Sequence, residues 1–293
     1  MSTTISENQP PTSDEFTMQC GNFKLALGKR TYIMGILNLT PDSFYDGGKF
    51  VNPEAAIKHA EKMVEDGADI IDIGSESSRP GSNPISSEEE INRLKPVLPI
   101  LCKGLNIPIS VDTYKSTVAK WALDNGAAMI NDISGFRFDH YMAKVTSEYN
   151  VLVVIMHTYG KPKTMQDNPH YKSLLTEIIQ YLKDSINTGL EAGIGFDKFI
   201  VDPGIGFGKT IAHNLEILRE LARLKELGRP ILIGPSRKSF IGKILDLSAE
   251  DRLEGTAAAV AIGILNGANI VRVHDVKKMI RVAKISDAIK KVG

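Results

Sequence analysis

Three stretches, DGADIIDIG (Asp66–Gly74), NGAAMINDI (Asn125–Ile133) and NGANIVRVHD (Asn266–Asp275), repeat one design along the chain. In each, a glycine follows a helical pattern and an apolar run follows the glycine. A glycine just past a helix takes the left-handed conformation that satisfies the last carbonyls, and the run after it suits a strand buried on both faces. EAGIGFDKFIVDPG (Glu191–Gly204) is a looser copy of the same unit.

Working outward, the segments before these stops carry helix signals. In NPEAAIKHAEKMVEDG, Asn52 suits a cap and Pro53 the first helical position, with Ala56, Ile57, Ala60, Met63 and Val64 forming one apolar face. Ser87, with Glu90 three residues on, opens the next helix, which Pro96 and Pro99 make short or irregular. Strands are expected near 32–37, 69–73, 107–111, 128–131, 151–156, 198–201, 230–233 and 269–273. Such an alternation over this length favours a closed parallel (β/α)8 TIM barrel, with an open doubly wound sheet as the alternative.

The chain has 293 residues, 42% of them hydrophobic and 24% charged, enough apolar material for one large core. Thirty-five basic residues against 35 acidic ones give no net field toward nucleic acid or an anionic membrane. Cys20 and Cys102 are too few for a disulfide framework or a zinc site and suit a reducing cytosol, where both are expected to be buried thiols. The first sixteen residues lack the basic and apolar regions of a signal peptide and are expected to form a flexible tail, with residues 17–293 as a single domain. The apolar run Ala257–Leu265, interrupted by Gly263, is far too short to span a membrane, so a cytoplasmic protein is expected.

Polar residues fall where the expected strands end. GILNLTPDSFYDGG (Gly35–Gly48) shows the pattern first: an apolar run stops at Asn38 and continues as a polar loop, a candidate lid. The other strands end at Asp72, at Asp112, at Asn131 and Asp132, at His157, at Asp202, at Ser236 to Lys238, and at Arg272 to Asp275. In a (β/α)8 barrel these ends share one rim, the face where catalysis sits. Singly, each has an ordinary explanation. Asn38, Thr113, Asp132 or Asp202 suits a cap, His157 a satisfied core histidine, and Asp72 a structural ion-pair partner. Their number and shared position point to a site. Arg79, Lys238, Arg272 and His274 come from three different units and suit an anion clamp. The glycines of DPGIGFGKT match neither a Walker A loop nor a dinucleotide fingerprint.

GILNLTPDSFYDGG, IDIGSESSRPG, SVDTYK, INDI, VIMH, VDPGIGFGKT, GPSRKSF and VRVHDV stand in the order and spacing of one family, and from about Thr17 onward the chain resembles the bacterial dihydropteroate synthases. The resemblance implies a transferase of folate synthesis that joins (7,8-dihydropterin-6-yl)methyl diphosphate to 4-aminobenzoate. It implies that Asp112, Asn131, Met156, Asp202 and Lys238 hold the pterin, and that Asn38, Arg79, Arg272 and His274 hold the diphosphate, with Asn38 also a ligand of Mg²⁺. Phe44, Ser78, Pro80, Phe207 and Ser236 then belong to the aminobenzoate, while Asp112, Asp202, Lys238, Arg272 and His274 serve catalysis. A homodimer formed through helices late in the barrel is implied as well. Two features depart from the family pattern: Ser78 stands where a threonine is usual, which bears on affinity for the aminobenzoate and for sulfonamides that mimic it, and Pro235 stiffens the turn before Ser236. The rival readings are a methyltetrahydrofolate:corrinoid methyltransferase, which has no use for a diphosphate clamp, and a non-catalytic pterin-binding protein.

Overall fold

Four helix ends are closed in the same way, and that repetition sets the architecture. Gly67, Gly126, Gly193 and Gly267 all have positive φ, between 97° and 111°. After each, the next amide donates back to the carbonyl five residues earlier, as in Ala68 N to Met63 O at 2.9 Å, Ala127 N to Ala122 O at 3.0 Å, Ile194 N to Gly189 O at 2.9 Å and Ala268 N to Gly263 O at 2.9 Å. The carbonyls a helix leaves unpaired are thereby satisfied, and the chain is turned back toward the sheet.

The computed structural model describes residues 15–40, 52–78 and 81–292. An antiparallel hairpin, β1 (Phe16–Cys20) and β2 (Phe23–Leu27), precedes eight further strands. These are β3 (Tyr32–Asn38), β4 (Ile70–Gly74), β5 (Ile109–Asp112), β6 (Met129–Asp132), β7 (Leu152–Met156), β8 (Phe199–Asp202), β9 (Leu232–Ile233) and β10 (Ile270–Val273). They form one parallel sheet in the order β8-β7-β6-β5-β4-β3-β10-β9, and a parallel bridge between Val201 and Ile231 joins its two edges. The eight-stranded (β/α)8 barrel is therefore closed, and the open doubly wound sheet is excluded.

Around it run α1 (Pro53–Glu65), α2 (Ser87–Leu94), α3 (Leu98–Gly104), α4 (Ser116–Asp124), α5 (Met142–Tyr149), α6 (Leu174–Glu191), α7 (Ile211–Arg219), α8 (Ser239–Leu245), α9 (Leu253–Leu265) and α10 (Val276–Val292). Asn52 caps α1 as expected, accepting from Ala55 N, and Ala56, Ala60 and Met63 are buried. The cap of α2 is Ser86, which accepts from Glu89 N, one residue before the expected Ser87. The prolines split that region into α2 and α3. No helix among the described residues is long and apolar enough to cross a membrane.

The hairpin was not foreseen, because FTMQC and FKLAL alternate too briefly to stand out from a loop. It plugs the amino-terminal end of the barrel: Met18, Cys20, Leu25 and Leu27 pack in one cluster with Met34, Met129, Leu152, Ile200 and Ile270. The larger core lies outside the sheet, where Ile33, Ile71, Val111, Ile130, Val153, Val201 and Val271 meet the helices. Strand side chains alternate between these two clusters, so inward positions are fixed by parity. Cys20 is buried, and burial pushes its thiol up to about 12; Cys102 is only half-buried, short of the two buried thiols expected.

Gly204, just past β8, has a φ of 70°, and a methyl group there would lie 1.9 Å from the carbonyl oxygen of His157. Gly204→Ala is expected to cost about 3 kcal/mol or more of stability. Gly104→Ala, at a position with nothing within 4 Å of the added carbon, is the control and is expected to leave the thermal midpoint nearly unchanged. Equal melting temperatures for the two variants would contradict this account of the loop.

Candidate active site

The inward parity that places Ile70, Met129, Leu152, Ile200 and Ile270 on the plug places the residues two further along each strand above it. Those residues are Asp72, Asn131, Asp202 and Arg272, while Val154 of β7 still packs in the plug cluster. Asp112 of β5 lies in register with Asn131 of β6, Met156 with Asp202, and Asn38 with Gly74. A methyl group on Gly74 would sit 3.7 Å from both Asn38 Oδ1 and Asp112 Oδ2, so these two side chains flank the space a larger residue would fill. Of the strand-end residues expected to share one rim, Asn38, Asp72, Asp112, Asn131, Asp202 and Arg272 lie together at the carboxyl end of the barrel.

Arg272 organises the floor. Its Nε donates to Asp72 Oδ2 at 2.6 Å and its Nη2 to Asp112 Oδ2 at 2.8 Å, while Asn131 Nδ2 donates to the same Asp72 oxygen at 3.0 Å. Burial pulls the guanidinium pKa down, but the Asp72 and Asp112 carboxylates outweigh it and the net direction is up. Burial also pushes Asp112 up to about 7, against the pull of Arg272 and with the repulsion of Asp72. Asp72 is fully buried, and its Oδ1 has no hydrogen-bond partner among the described residues.

On the opposite wall Asp202 accepts from Gly204 N at 2.7 Å, and burial raises its carboxyl to about 6. The loop after it is held by Asn214, which accepts from Gly206 N at 2.7 Å, and by Gln166, which donates to Gly206 O at 2.7 Å. The Lys238 ammonium lies 4.2 Å from the centre of the Phe207 ring, and burial lowers it to about 8. Phe207 belongs to a small apolar cluster with Ile133, Met156 and Met165, bordered by Tyr114. A polar floor beside such an apolar wall suits a flat ring with hydrogen-bonding edges.

Lys209, buried next to this wall, was not singled out from the sequence, although it ends the GIGFGK run. It donates to Phe207 O and lies 3.0 Å from His157 Nδ1, and burial lowers it to about 7. His157 is otherwise packed against Tyr181 and Tyr171, with ring centres 4.6 and 5.9 Å away, which is the core-histidine reading. Asp132 likewise takes its ordinary role, accepting from the amides of Ser134 and Phe136 and from the Ser134 hydroxyl. Thr113 accepts from Lys115 N at 3.2 Å.

At the end of β10, His274 Nδ1 lies 2.9 Å from Ser236 Oγ, and burial lowers the imidazole to about 3, so the ring is neutral at pH 7. Ser236 lies within a tight turn in which Lys238 N donates to Pro235 O at 3.2 Å and Arg237 has a φ of 55°. The Arg237 side chain pairs with Asp275 through Nε and Nη2, at 3.0 and 2.9 Å. Ser78 is half-buried. Phe44, Arg79 and Pro80, with the candidate lid around Pro41 and Asp42, lie outside the described residues.

The fold and the site together define a (β/α)8 barrel enzyme with a polar floor beside an apolar wall at the carboxyl ends of its strands. Residues 34–274 match the family of pterin binding enzymes. The chain is 50% identical over 273 residues to the dihydropteroate synthase of Clostridium beijerinckii, covering 93% of this chain and 99% of that one. The crystal structure of a dihydropteroate synthase from Clostridium difficile in the presence of pteroic acid superposes with a TM-score of 0.85 at 50% identity, covering 90% of this chain and 98% of that one. The Xanthomonas albilineans dihydropteroate synthase with 4-aminobenzoic acid gives a TM-score of 0.88 at 38% identity, covering 95% and 100%. The chain belongs to the pterin binding enzymes and, within them, to the dihydropteroate synthases.

A carboxyl whose folded-state pKa is raised contributes stability at low pH and loses it as pH rises through that pKa. Asp202, raised to about 6 from 3.8, therefore weakens the ligand-free fold above pH 6. Asp202→Asn, whose oxygen can still accept from Gly204 N, is expected to be more stable than the wild type at about pH 8, by roughly 1–3 kcal/mol, with the gain gone near pH 4. Denaturant melts at the two pH values measure it, and a less stable variant at the higher pH would contradict the sign.

Proposed function

We propose that this chain joins (7,8-dihydropterin-6-yl)methyl diphosphate to 4-aminobenzoate, giving 7,8-dihydropteroate and diphosphate for folate synthesis. The observation that carries the reading is the gathering of Asp112, Asn131, Asp202 and Lys238 around one floor beside the Phe207–Met156 wall. Asp202 suits the 2-amino group and N3–H of the pterin, Lys238 the ring carbonyl, and Asp112 and Asn131 the remaining ring nitrogens, with Met156 against the ring. The pteroic acid of the similar Clostridium difficile structure and the 4-aminobenzoic acid of the Xanthomonas albilineans one support the choice of substrates.

In this reading the bond from the pterin methylene to the diphosphate oxygen breaks first, and both electrons leave with the diphosphate. The cation that remains is delocalised into the dihydropterin ring, where Asp112 and Asp202 offset its charge. The aminobenzoate nitrogen then adds to the methylene and releases a proton to solvent, so no nucleophile from the protein is needed. Arg272, Arg79 and His274 are assigned to the diphosphate. Two nitrogens of Arg272 are spent on Asp72 and Asp112, which orients the guanidinium and leaves Nη1 for a ligand. Phe44, Ser78, Pro80, Phe207 and Ser236 are assigned to the aminobenzoate.

Mg²⁺ is assigned to Asn38, whose amide oxygen flanks Gly74 opposite Asp112. No group of three His, Cys, Asp or Glu side chains among the described residues could hold a metal. One amide oxygen fits a hard ion that takes most of its ligands from phosphate and water. Such an ion, when bound, neutralises charge on the departing diphosphate. We also assign a cytoplasmic homodimer. Ile262 and Leu265 of α9 are 47% and 45% exposed, and Ile285 and Ile289 of α10 are 65% and 57% exposed, an apolar surface suited to a second copy.

The test is to incubate the pure protein with the pterin diphosphate, Mg²⁺ and 4-aminobenzoate and to follow diphosphate and dihydropteroate. Equal amounts of both products are expected, and Asp202→Ala is expected to weaken pterin binding on the order of a hundredfold. Tight pterin binding without product under any metal condition would show a binding protein instead.

A further inference from the structure

The loop that carries Ser77 and Ser78 is tied down by a buried ionic cluster that the proposed reaction does not use. The Lys115 ammonium donates to Glu76 Oε2, to Glu90 Oε2 at 2.7 Å and to the carbonyl of Ile85 at 2.8 Å. Glu76 also accepts from Tyr114 Oη at 2.6 Å and from Ile85 N at 2.9 Å. The side chains of Lys115, Glu76 and Glu90 are only 14%, 9% and 1% exposed. All three ammonium protons are spent, on the first turn of the loop, on its far end and on α2. Arg93 adds a bond to Ser75 O at 3.0 Å, and Ser82 Oγ one to Ser77 O at 2.6 Å.

Stability alone is a poor reason for this arrangement. Two carboxylates face one ammonium, Glu90 Oε1 has no partner among the described residues, and burial raises the Glu90 pKa against the pull of Lys115. Buried ionic groups of this kind are often matched or bettered in stability by apolar residues of the same volume, whereas they hold one geometry well. The geometry they hold here fixes Glu76 against Ile85 and anchors both to Lys115, three residues beyond Asp112 of the floor.

We propose that Lys115 is a positioning residue for the aminobenzoate half of the site: by clamping Glu76 to Ile85 it fixes the Ser77–Ser78 segment, with no hydrogen bond of its own to the pterin floor. The inference rests on the assignment of Ser78 to the aminobenzoate. Among the described residues no hydrogen bond joins Lys115 to Asp112, Asn131, Asp202 or Lys238, and the cluster reaches the floor only through the charge of Glu90 on Asp112, so the two substrates should respond to its loss to different degrees.

The experiment is steady-state kinetics on the full chain carrying Lys115→Met, with each substrate varied in turn. The KM for 4-aminobenzoate is expected to rise about tenfold or more while that for the pterin diphosphate stays within about twofold. No rise, or an equal rise in both, overturns the clamp. Ser78→Leu in the otherwise wild-type chain separates the two levels. If it leaves the aminobenzoate KM unmoved, the subsite assignment itself fails; if it raises that KM while Lys115→Met does not, only the clamp fails. Should Lys115→Met not fold, Tyr114→Phe, which removes a single bond to Glu76, is expected to show the same split at about threefold. Absence of the split there overturns the proposal equally.

Discussion

One buried cation holds the floor of the barrel together. Arg272 enters from β10 and bonds to carboxylates on β4 and β5, and β3 lies between β10 and β4 in the sheet. The contact therefore bridges across the inside of the barrel, in addition to running along a ladder. Removing either charge would leave the other buried without compensation, which costs far more than the intact pair contributes. Asp72, fully buried and reached by both Arg272 and Asn131, orients the two groups that face the site.

From this constraint the electrostatics of the rest follow. Asp72, Asp112 and Asp202 face Arg272, Lys238 and Lys209, three carboxylates against three cations, and this near balance makes a polar layer tolerable above an apolar plug. The balance is incomplete group by group. Burial raises Asp112 and Asp202 and lowers Lys238 and Lys209, which marks a floor that gains when a ligand supplies the missing partners. The chain's overall neutrality says nothing of this local field.

The barrel was readable because its signals are local. Polar–Gly–Ala before an apolar run names a helix end and a strand start, and Gly67, Gly126 and Gly267 adopt the conformation that pattern requires, as does Gly193 of the looser copy. Their shared place at the strand ends then pointed Asp112, Asn131, Asp202 and Arg272 to one rim. Interactions between distant segments were not readable. Nothing near Arg272 in sequence announces Asp72, two hundred residues away, as its partner. Lys209 and Lys115 carry no local signal in the sequence, and burial alone separates them from surface charges. The hairpin Phe16–Leu27 escaped because two five-residue strands carry too little periodicity, although it fills the end of the barrel.

The most direct measurement is a double-mutant cycle on unfolding free energy with Asp72→Asn, Arg272→Met and the pair together. The account predicts a coupling of about 2 kcal/mol or more between the two positions, since each group exists to compensate the other inside the barrel. Additive effects, with a coupling near zero, would show that the floor does not depend on this contact.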